Sequence, residues 1–496
     1  MVDSATIKHL EDRIFQGGFV LAGLAIALSC VNQFCRQMFD HALTPDWGWL
    51  YKTGLYILEN RRLPSTDLFT WTHPEQPWVL YQWLFEALAA AGYRVAGQTT
   101  SVVLFTLLAL GLYAVAPAAF LRRRGVPTIL TLAIAGLVLL PVSTNLGLRP
   151  MIVTSALLLL QFVLVDRWRV YRLDTRRLTV YVMLMYGLWA NMHMGVTLGL
   201  VSFGLFAVGE IIEGRTRRAG IMIGMGVAGF AASLVNPYGV EIYTYLFHLS
   251  LETKMNAHIS ELRPPDMRGM GFIVAGGLAI VFLLDIYRQR ERYRAGDILH
   301  LIVFSVLTAF SLRFVVWAGL FYVLVVPAGL WQRINVGPDN IGNLRAGLRA
   351  SRHADTTLLG SFCGACILLA AFVTPLSQSA KVHGCPPLRS AIKYLDAHYP
   401  PTTRWFSADV VGSCTRLYTP ERKTFGDTRF DMLGESFVVE WVNTFNGREG
   451  WRNFLSKWNI DVLLLPKDRE LASKLKGNTD YTIVFQDGHT YIFERR

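Results

Sequence analysis

The chain has 496 residues, 52% of them hydrophobic and 17% charged, with a net charge of +12 and a mean hydropathy of +0.34. That balance excludes an ordinary soluble domain and places the chain among polytopic membrane proteins. The basic residues sit in short clusters beside apolar runs, so the charge argues for membrane topology and anionic lipid, and against a nucleic-acid partner.

The first predicted span is Phe15–Phe34. Others follow at Ser101–Leu121, Ile129–Ser143, Ile152–Val165, Leu178–Ala190, Gly195–Ile211, Ile221–Val235, Phe272–Leu284, Ile298–Phe310, Val315–Leu330 and Leu358–Val373. That makes about eleven stretches near the length that crosses a hydrocarbon core as a helix. Between the first two spans lies a loop, residues 37–98, whose segment from Asp40 to Trp83 is too polar and aromatic for the membrane interior. Within it Trp47, Leu50, Tyr51, Leu55, Ile57 and Leu58 predict a short amphipathic helix lying in the interface and stopped by Pro64. Trp71, Trp78, Tyr81 and Trp83 predict an aromatic belt at headgroup level, and Trp83–Val95 an apolar segment returning along the surface.

Five basic clusters set the expected orientation: Arg122–Arg124, Arg167–Arg177, Arg215–Arg218, Arg288–Arg294 and Arg333–Arg352. All fall on one side if odd spans run outward, which places the amino terminus in the cytoplasm and both the large loop and the tail outside. The external turns then carry short polar motifs: Arg149-Pro150, Trp189-Ala190-Asn191-Met192-His193, Asn236-Pro237-Tyr238-Gly239, Glu261–Asp266 and Arg313. Polar groups drawn to one surface from many helices describe a site more readily than unrelated turns do.

Residues 1–375 are read as the transmembrane domain and 376–496 as a small extracytoplasmic α/β domain, so the fold class is a mainly α, polytopic helix bundle with an α/β appendage. In the tail, Trp405–Leu417 and Lys423–Gly426 predict strands, Glu435–Asn446 and Trp451–Lys457 helices, Asp461–Leu465 a buried strand, and Tyr481–Phe493 a hairpin turning at Asp487-Gly488. Cys385 and Cys414 fall in the external tail, where a disulfide persists; pairing and two free thiols are both compatible with their spacing. Cys30, Cys35, Cys363 and Cys366 lie in or beside spans and read as small buried hydrophobes.

The loop reading Pro45-Asp46-Trp47-x-Trp49-Leu50…Gly54…Leu63-Pro64-x-x-Asp67…Trp78…Trp83-Leu84-x-Glu86 resembles the first external loop of bacterial GT-C membrane glycosyltransferases. The likeness extends through Arg149-Pro150, Trp189-Ala190-Asn191-x-His193 and Asn236-Pro237-Tyr238-Gly239 to Gly426-Asp427-x-Arg429-x-Asp431, and so touches nearly the whole chain. It implies a GT-C helix bundle in a bacterial inner membrane and transfer of a sugar from a polyprenyl-phosphate donor to an extracytoplasmic glycan, lipid or protein in envelope or polysaccharide biosynthesis. Such loops commonly carry a histidine a few residues after the acidic position, whereas this one reads Trp49-Leu50-Tyr51-Lys52. A second acidic residue beside Asp46 is also missing, so a divalent metal has no paired-carboxylate motif to support it, and metal dependence stays open.

Transfer from a lipid phosphate needs a proton acceptor, cations for the leaving phosphate and an apolar groove for the prenyl chain. Asp46, held beside Trp47 and Trp49, is the candidate base, against the alternative that it merely caps the helix beginning at Trp47. Arg149 and Arg313 are isolated arginines where topology asks for no positive charge, and their forked donors suit phosphate; Lys52 and Arg263 are weaker versions. His193 and Asn191, with Asp67, Trp47 and Trp49, are the candidates for acceptor or sugar, although Asp67 also suits a structural turn. Asp40 is a third acidic candidate, and Asp427, Arg429 and Asp431 read as a structural ion-pair network. Two other classes stay open: a lipid-linked glycan transporter, which would show mid-span charges in paired repeats, and a non-catalytic scaffold of a polysaccharide-assembly complex.

Overall fold

Every predicted span is helical in the computed structural model, which describes residues 4–42, 44–251, 253–266, 268, 270–289, 293–336, 342–376 and 385–496. Helix α1 (Ser4–Ala42) leads into α2 (Trp47–Asn60) and then α3 (Trp83–Leu110), which breaks at Gly97, where φ is 75° and ψ is 176°. Only glycine takes that backbone without strain, and the break separates the segment that begins at Trp83 from the span proper. The span runs on through a π-helical turn (Gly111–Val115) into α4 (Ala116–Arg122).

The bundle continues with α5 (Thr128–Ser143), α6 (Met151–Arg169), α7 (Thr175–Met192), α8 (Val196–Ile212) and α9 (Thr216–Ser233). Helix α5 is buried nearly all round, as its unbroken apolar sequence demands, and packs against α1. The Asn236 amide folds back on the Ser233 and Gly239 carbonyls and accepts from the Tyr238 N–H, so the Asn-Pro-Tyr-Gly motif is a helix-ending turn. Then come α10 (Glu241–Leu251), α11 (Thr253–Asn256), α12 (Met270–Gln289), α13 (Ala295–Phe310), α14 (Val315–Val336), α15 (Gly342–Ser351) and α16 (Asp355–Leu376). Among the described residues, four helical stretches are by themselves long and apolar enough to cross a bilayer: Trp83–Arg122, Met151–Arg169, Leu312–Asn335 and Asp355–Pro375.

The tail starts with α17 (Arg389–His398), β1 (Trp405–Ser407) and α18 (Asp409–Tyr418), the last joined to the tail's start by a Cys385–Cys414 disulfide. It continues with α19 (Phe430–Leu433), α20 (Glu435–Phe445), α21 (Trp451–Lys457), β2 (Val462–Pro466), α22 (Glu470–Lys476), β3 (Tyr481–Gln486) and β4 (Thr490–Arg495). The sheet order is β1-β2-β4-β3, with β1 and β2 parallel and the other pairs antiparallel. The hairpin turns where predicted, because the Asp487 carboxylate accepts from the His489 and Thr490 N–H groups.

Four expectations are corrected. The predicted strand Trp405–Leu417 is a three-residue strand followed by a helix, whose buried Val411, Cys414 and Thr415 keep helical spacing. Thr424 is extended but pairs with Thr70 of the large loop rather than with the sheet, through hydrogen bonds of 3.0 Å from Trp71 N–H to Thr424 O and from Thr424 N–H to Phe69 O. Two tryptophans of the expected belt pack into the tail instead: Trp71 meets Phe425 and Trp458, and the Arg429 guanidinium lies 4.6 Å over Trp78. Helix α2 is likewise buried along one face, between α3 and α18.

Candidate active site

A cavity of about 730 Å³ lies where the turns after α5, α7 and α13 and the segment after α11 meet α2 and the tail. Asp46, Trp49 and Tyr81 reach it from the large loop, Arg149, His193, Glu261 and Arg313 from the bundle turns, and Asp409, Thr428 and Asp431 from the tail. Asp46 stands at the N-cap position of α2, yet its backbone is already helical (φ −61°, ψ −24°) and its side chain makes no capping bond. Its Oδ2 pairs instead with Arg149 at 2.8 Å, and its Oδ1 accepts the Thr428 hydroxyl. The carboxylate sits in an ion pair rather than against bare apolar surface.

Arg149 distributes its donors three ways: to Asp46, to Glu261 Oε2 at 2.6 Å and from Nε to Thr44 Oγ1 at 3.2 Å. The other oxygen of Glu261 receives Arg313. Burial pushes the Glu261 carboxyl up, but the two guanidiniums outweigh it and hold the group at about 2, fully ionised at neutral pH. The segment carrying Glu261 is pinned to the turn carrying Arg313, since Leu312 N–H donates to Arg263 O at 2.8 Å and the Ser311 hydroxyl to Glu261 O at 3.2 Å. Asp46, Arg149, Glu261 and Arg313 thus alternate in sign along one wall.

His193 is buried at the end of α7. The Trp189 indole donates to Thr154 Oγ1 at 3.0 Å, which directs the Thr154 hydroxyl proton to His193 Nδ1 at 2.7 Å. The Gly195 N–H also donates to that nitrogen, at 3.2 Å. Nδ1 is therefore an acceptor and Nε2 carries the proton. Burial, with Arg313 nearby, pushes the imidazole down to about 3, so it acts as a neutral donor and not as a cation. On the tail side, burial raises the carboxyls of Asp431 and Asp409, and Asp431 accepts from the Tyr245 hydroxyl at 2.9 Å. No three His, Cys, Asp or Glu side chains among the described residues gather closely enough to hold a metal ion.

No family model matches this chain, and no curated protein matches it in sequence. Solved structures do match. Archaeal oligosaccharyltransferase AglB from Archaeoglobus fulgidus, in complex with an inhibitory peptide and a dolichol-phosphate, superposes with a TM-score of 0.53 at 12% identity, over 95% of this chain and 74% of its own. ArnT from Cupriavidus metallidurans, bound to undecaprenyl phosphate, gives 0.55 at 14% identity, over 96% of this chain and 98% of its own. The chain shares the fold of these two proteins, a polytopic helix bundle with a small C-terminal α/β domain.

Within this bundle the structure brings Asp46, Arg149, Arg313, His193 and Trp49 together around one cavity. The other predicted site residues lie elsewhere. Asn191 spends its amide on Gly187 O, Val235 O and the Trp83 indole, tying α7 to α9 and α3. Asp67 is buried in a turn, accepting from the Phe69 and Thr70 N–H groups and pairing with Arg429 at 2.8 Å. Trp47 packs on Tyr51 and Tyr93. Arg263 donates to Ala257 O at 2.6 Å, and neither it nor Lys52 lines the cavity. The side chain of Asp40 lies outside the described residues. In the tail, Asp427 and Arg429 form the expected buried pair, while Asp431 separates from them and faces the cavity. The sequence places Glu261 among the external polar motifs without a role of its own, the acid in the segment before Arg313 being the usable signal, while nothing local points to Thr428 or Asp409.

Proposed function

We propose that this protein is an integral-membrane glycosyltransferase that moves a sugar from a polyprenyl-phosphate donor to a hydroxyl of an extracytoplasmic acceptor in envelope or polysaccharide biosynthesis. The observation that carries the reading is one cavity holding a carboxylate at the end of α2, two guanidiniums from separate bundle turns, and an apolar wall that includes Leu146, Leu198, Leu246, Leu249, Phe314 and Trp317. The fold and the polyprenyl-type phosphates named with AglB and ArnT support it.

In this reading Asp46 accepts the acceptor's hydroxyl proton as the new bond to the sugar's anomeric carbon forms and the bond from that carbon to the donor phosphate oxygen breaks. Arg149 and Arg313 meet the charge that develops on the leaving phosphate, and neutral His193 donates from Nε2. A single displacement inverts the anomeric centre. The basic end of the bundle faces the cytoplasm of an inner membrane, which leaves the cavity outside.

Transfer from a radiolabelled polyprenyl-phosphate sugar in membranes tests the reading. Asp46→Asn should lower kcat by about 10²- to 10⁴-fold, and Arg313→Ala should lower kcat/KM by roughly 10²- to 10³-fold. Undiminished transfer by both variants would remove these roles. Movement of a lipid-linked glycan across the bilayer by wild type, with no transfer from any donor, would replace the enzyme with a transporter.

A further inference from the structure

The proton acceptor proposed above is not held by the bundle alone. Thr428 belongs to the tail, 382 residues beyond Asp46, and its hydroxyl donates to Asp46 Oδ1. Its direction is fixed by its neighbours. The Trp49 indole, which can only donate, gives its proton to Thr428 Oγ1 at 3.1 Å. Ser413 Oγ, on α18, accepts from the Thr428 N–H at 3.0 Å and lies 3.0 Å from Thr428 Oγ1. With the threonine proton committed to Asp46, the Ser413 hydroxyl donates to the threonine oxygen. Thr428 Oγ1 therefore accepts twice and donates once, with no hydrogen-bonding capacity left over.

The backbone supports the same junction independently. A Cβ on Gly48 would lie 2.1 Å from the Ser413 carbonyl oxygen, so α2 and α18 touch main chain to main chain beside this network. The contact brings the element carrying Asp46 and the one carrying Ser413 to a spacing that no larger residue permits.

We propose that Thr428 is a positioning residue for Asp46: the tail completes the active site by holding the carboxylate's Oδ1 while Arg149 holds its Oδ2. The inference rests on the reading of Asp46 as proton acceptor. A carboxylate fixed at both oxygens enters the reaction pre-oriented, whereas one tied only to Arg149 swings about a single ion pair.

The test uses the full-length protein in membranes, with Thr428→Val, Thr428→Ser, Asp46→Asn and the Asp46→Asn/Thr428→Val double variant. Thr428→Val keeps the shape and removes the donor; kcat should fall about ten- to a hundredfold with donor KM unchanged, since misplacing a catalytic group costs rate rather than affinity. Thr428→Ser should restore kcat to within about twofold, and valine should cost nothing further in the Asp46→Asn background, because the group it positions is gone. Unchanged kcat in Thr428→Val beside an inactive Asp46→Asn would overturn the positioning role and leave the role of Asp46 standing. A full loss on adding valine to Asp46→Asn would also overturn it, and full activity of Asp46→Asn would remove both. If Thr428→Val fails to accumulate, Trp49→Phe deletes the indole donor instead and should show the same split between kcat and KM in weaker form.

Discussion

Arg149 and Arg313 are both committed to Glu261, so a donor phosphate bound as proposed would displace a carboxylate rather than fill an empty cation site. Glu261→Gln removes the competing charge. Donor KM should then fall on the order of tenfold, about the worth of one charge-assisted hydrogen bond, while the thermal midpoint drops because two half-buried guanidiniums lose their shared counter-ion. Higher KM in steady-state transfer assays would show that Glu261 binds substrate itself. The same pair defines a pH window. Burial raises Glu261, Arg149 and Arg313 outweigh it, and the folded value of about 2 lies below the ordinary 4.5. The unfolded chain therefore takes up the proton first as pH falls, so this stabilisation is complete above about pH 4.5 and is lost between there and pH 2. Thermal melts in detergent should show that acid-side loss in wild type and a smaller one in Glu261→Gln. Arg149 and Arg313 stand out in the sequence because each is a positive charge where topology asks for none, and Asp46 because it is a carboxylate beside Trp47 and Trp49 in the polar loop. The pairings of Glu261 and Thr428 were not legible, because their partners Arg313 and Asp46 lie 52 and 382 residues away.

Helix α2 is placed by two close approaches. Besides Gly48 against Ser413, a Cβ on Gly54 would sit 2.1 Å from Glu86 O of α3, so α2 is wedged between α3 and α18 by glycines on its buried face. Gly48→Ala should push α2 off α18, cost about 1–3 kcal/mol of stability by overpacking, and lower kcat by carrying Asp46 away from Thr428. Thermal unfolding and transfer rates of the purified variant check both, and a variant with normal kcat would show that the junction relaxes without moving the carboxylate. The buried spans were legible because length and apolarity identify a membrane helix without tertiary context. The tail was harder: Val410-Val411 beside Trp405-Phe406 has strand composition, and only packing of Val411 and Cys414 into the tail core makes α18 a helix. Thr424 reads as a sheet strand because nothing local shows that its partner is Thr70, on a loop more than 350 residues earlier.

At the scale of the molecule, the two ends of the bundle use charge differently. On the basic side several arginines meet acids from neighbouring helices: Arg169 pairs with Glu210 at 2.8 Å and Asp297 at 3.2 Å, and Arg294 with Asp166 at 3.1 Å. The sequence reading had them facing lipid; the side chains of Arg288, Arg290 and Arg292 lie outside the described residues. On the site side, the loop and tail are locked by Arg429, which pairs with Asp67 at 2.8 Å and Asp427 at 2.6 Å beneath Trp78, and by Arg416, which donates to Phe69 O at 3.0 Å. All three members of the Arg429 triad are buried. Deleting the cation strands two buried carboxylates, which costs about 3–5 kcal/mol, whereas replacing all three by uncharged groups of similar volume costs far less. Arg429→Met should therefore separate the single thermal transition expected of bundle and tail into two, with the tail melting first, and should lower transfer because Thr428 is its chain neighbour. The Asp67→Asn/Arg429→Met/Asp427→Asn variant should recover one transition and much of the activity. If Arg429→Met still melts in one step near the wild-type midpoint, the strand-like contact of Thr70 with Thr424 and the hold of Arg416 on Phe69 couple the halves without the triad. Orientation of Asp46 would then depend on those backbone contacts more than on buried charge.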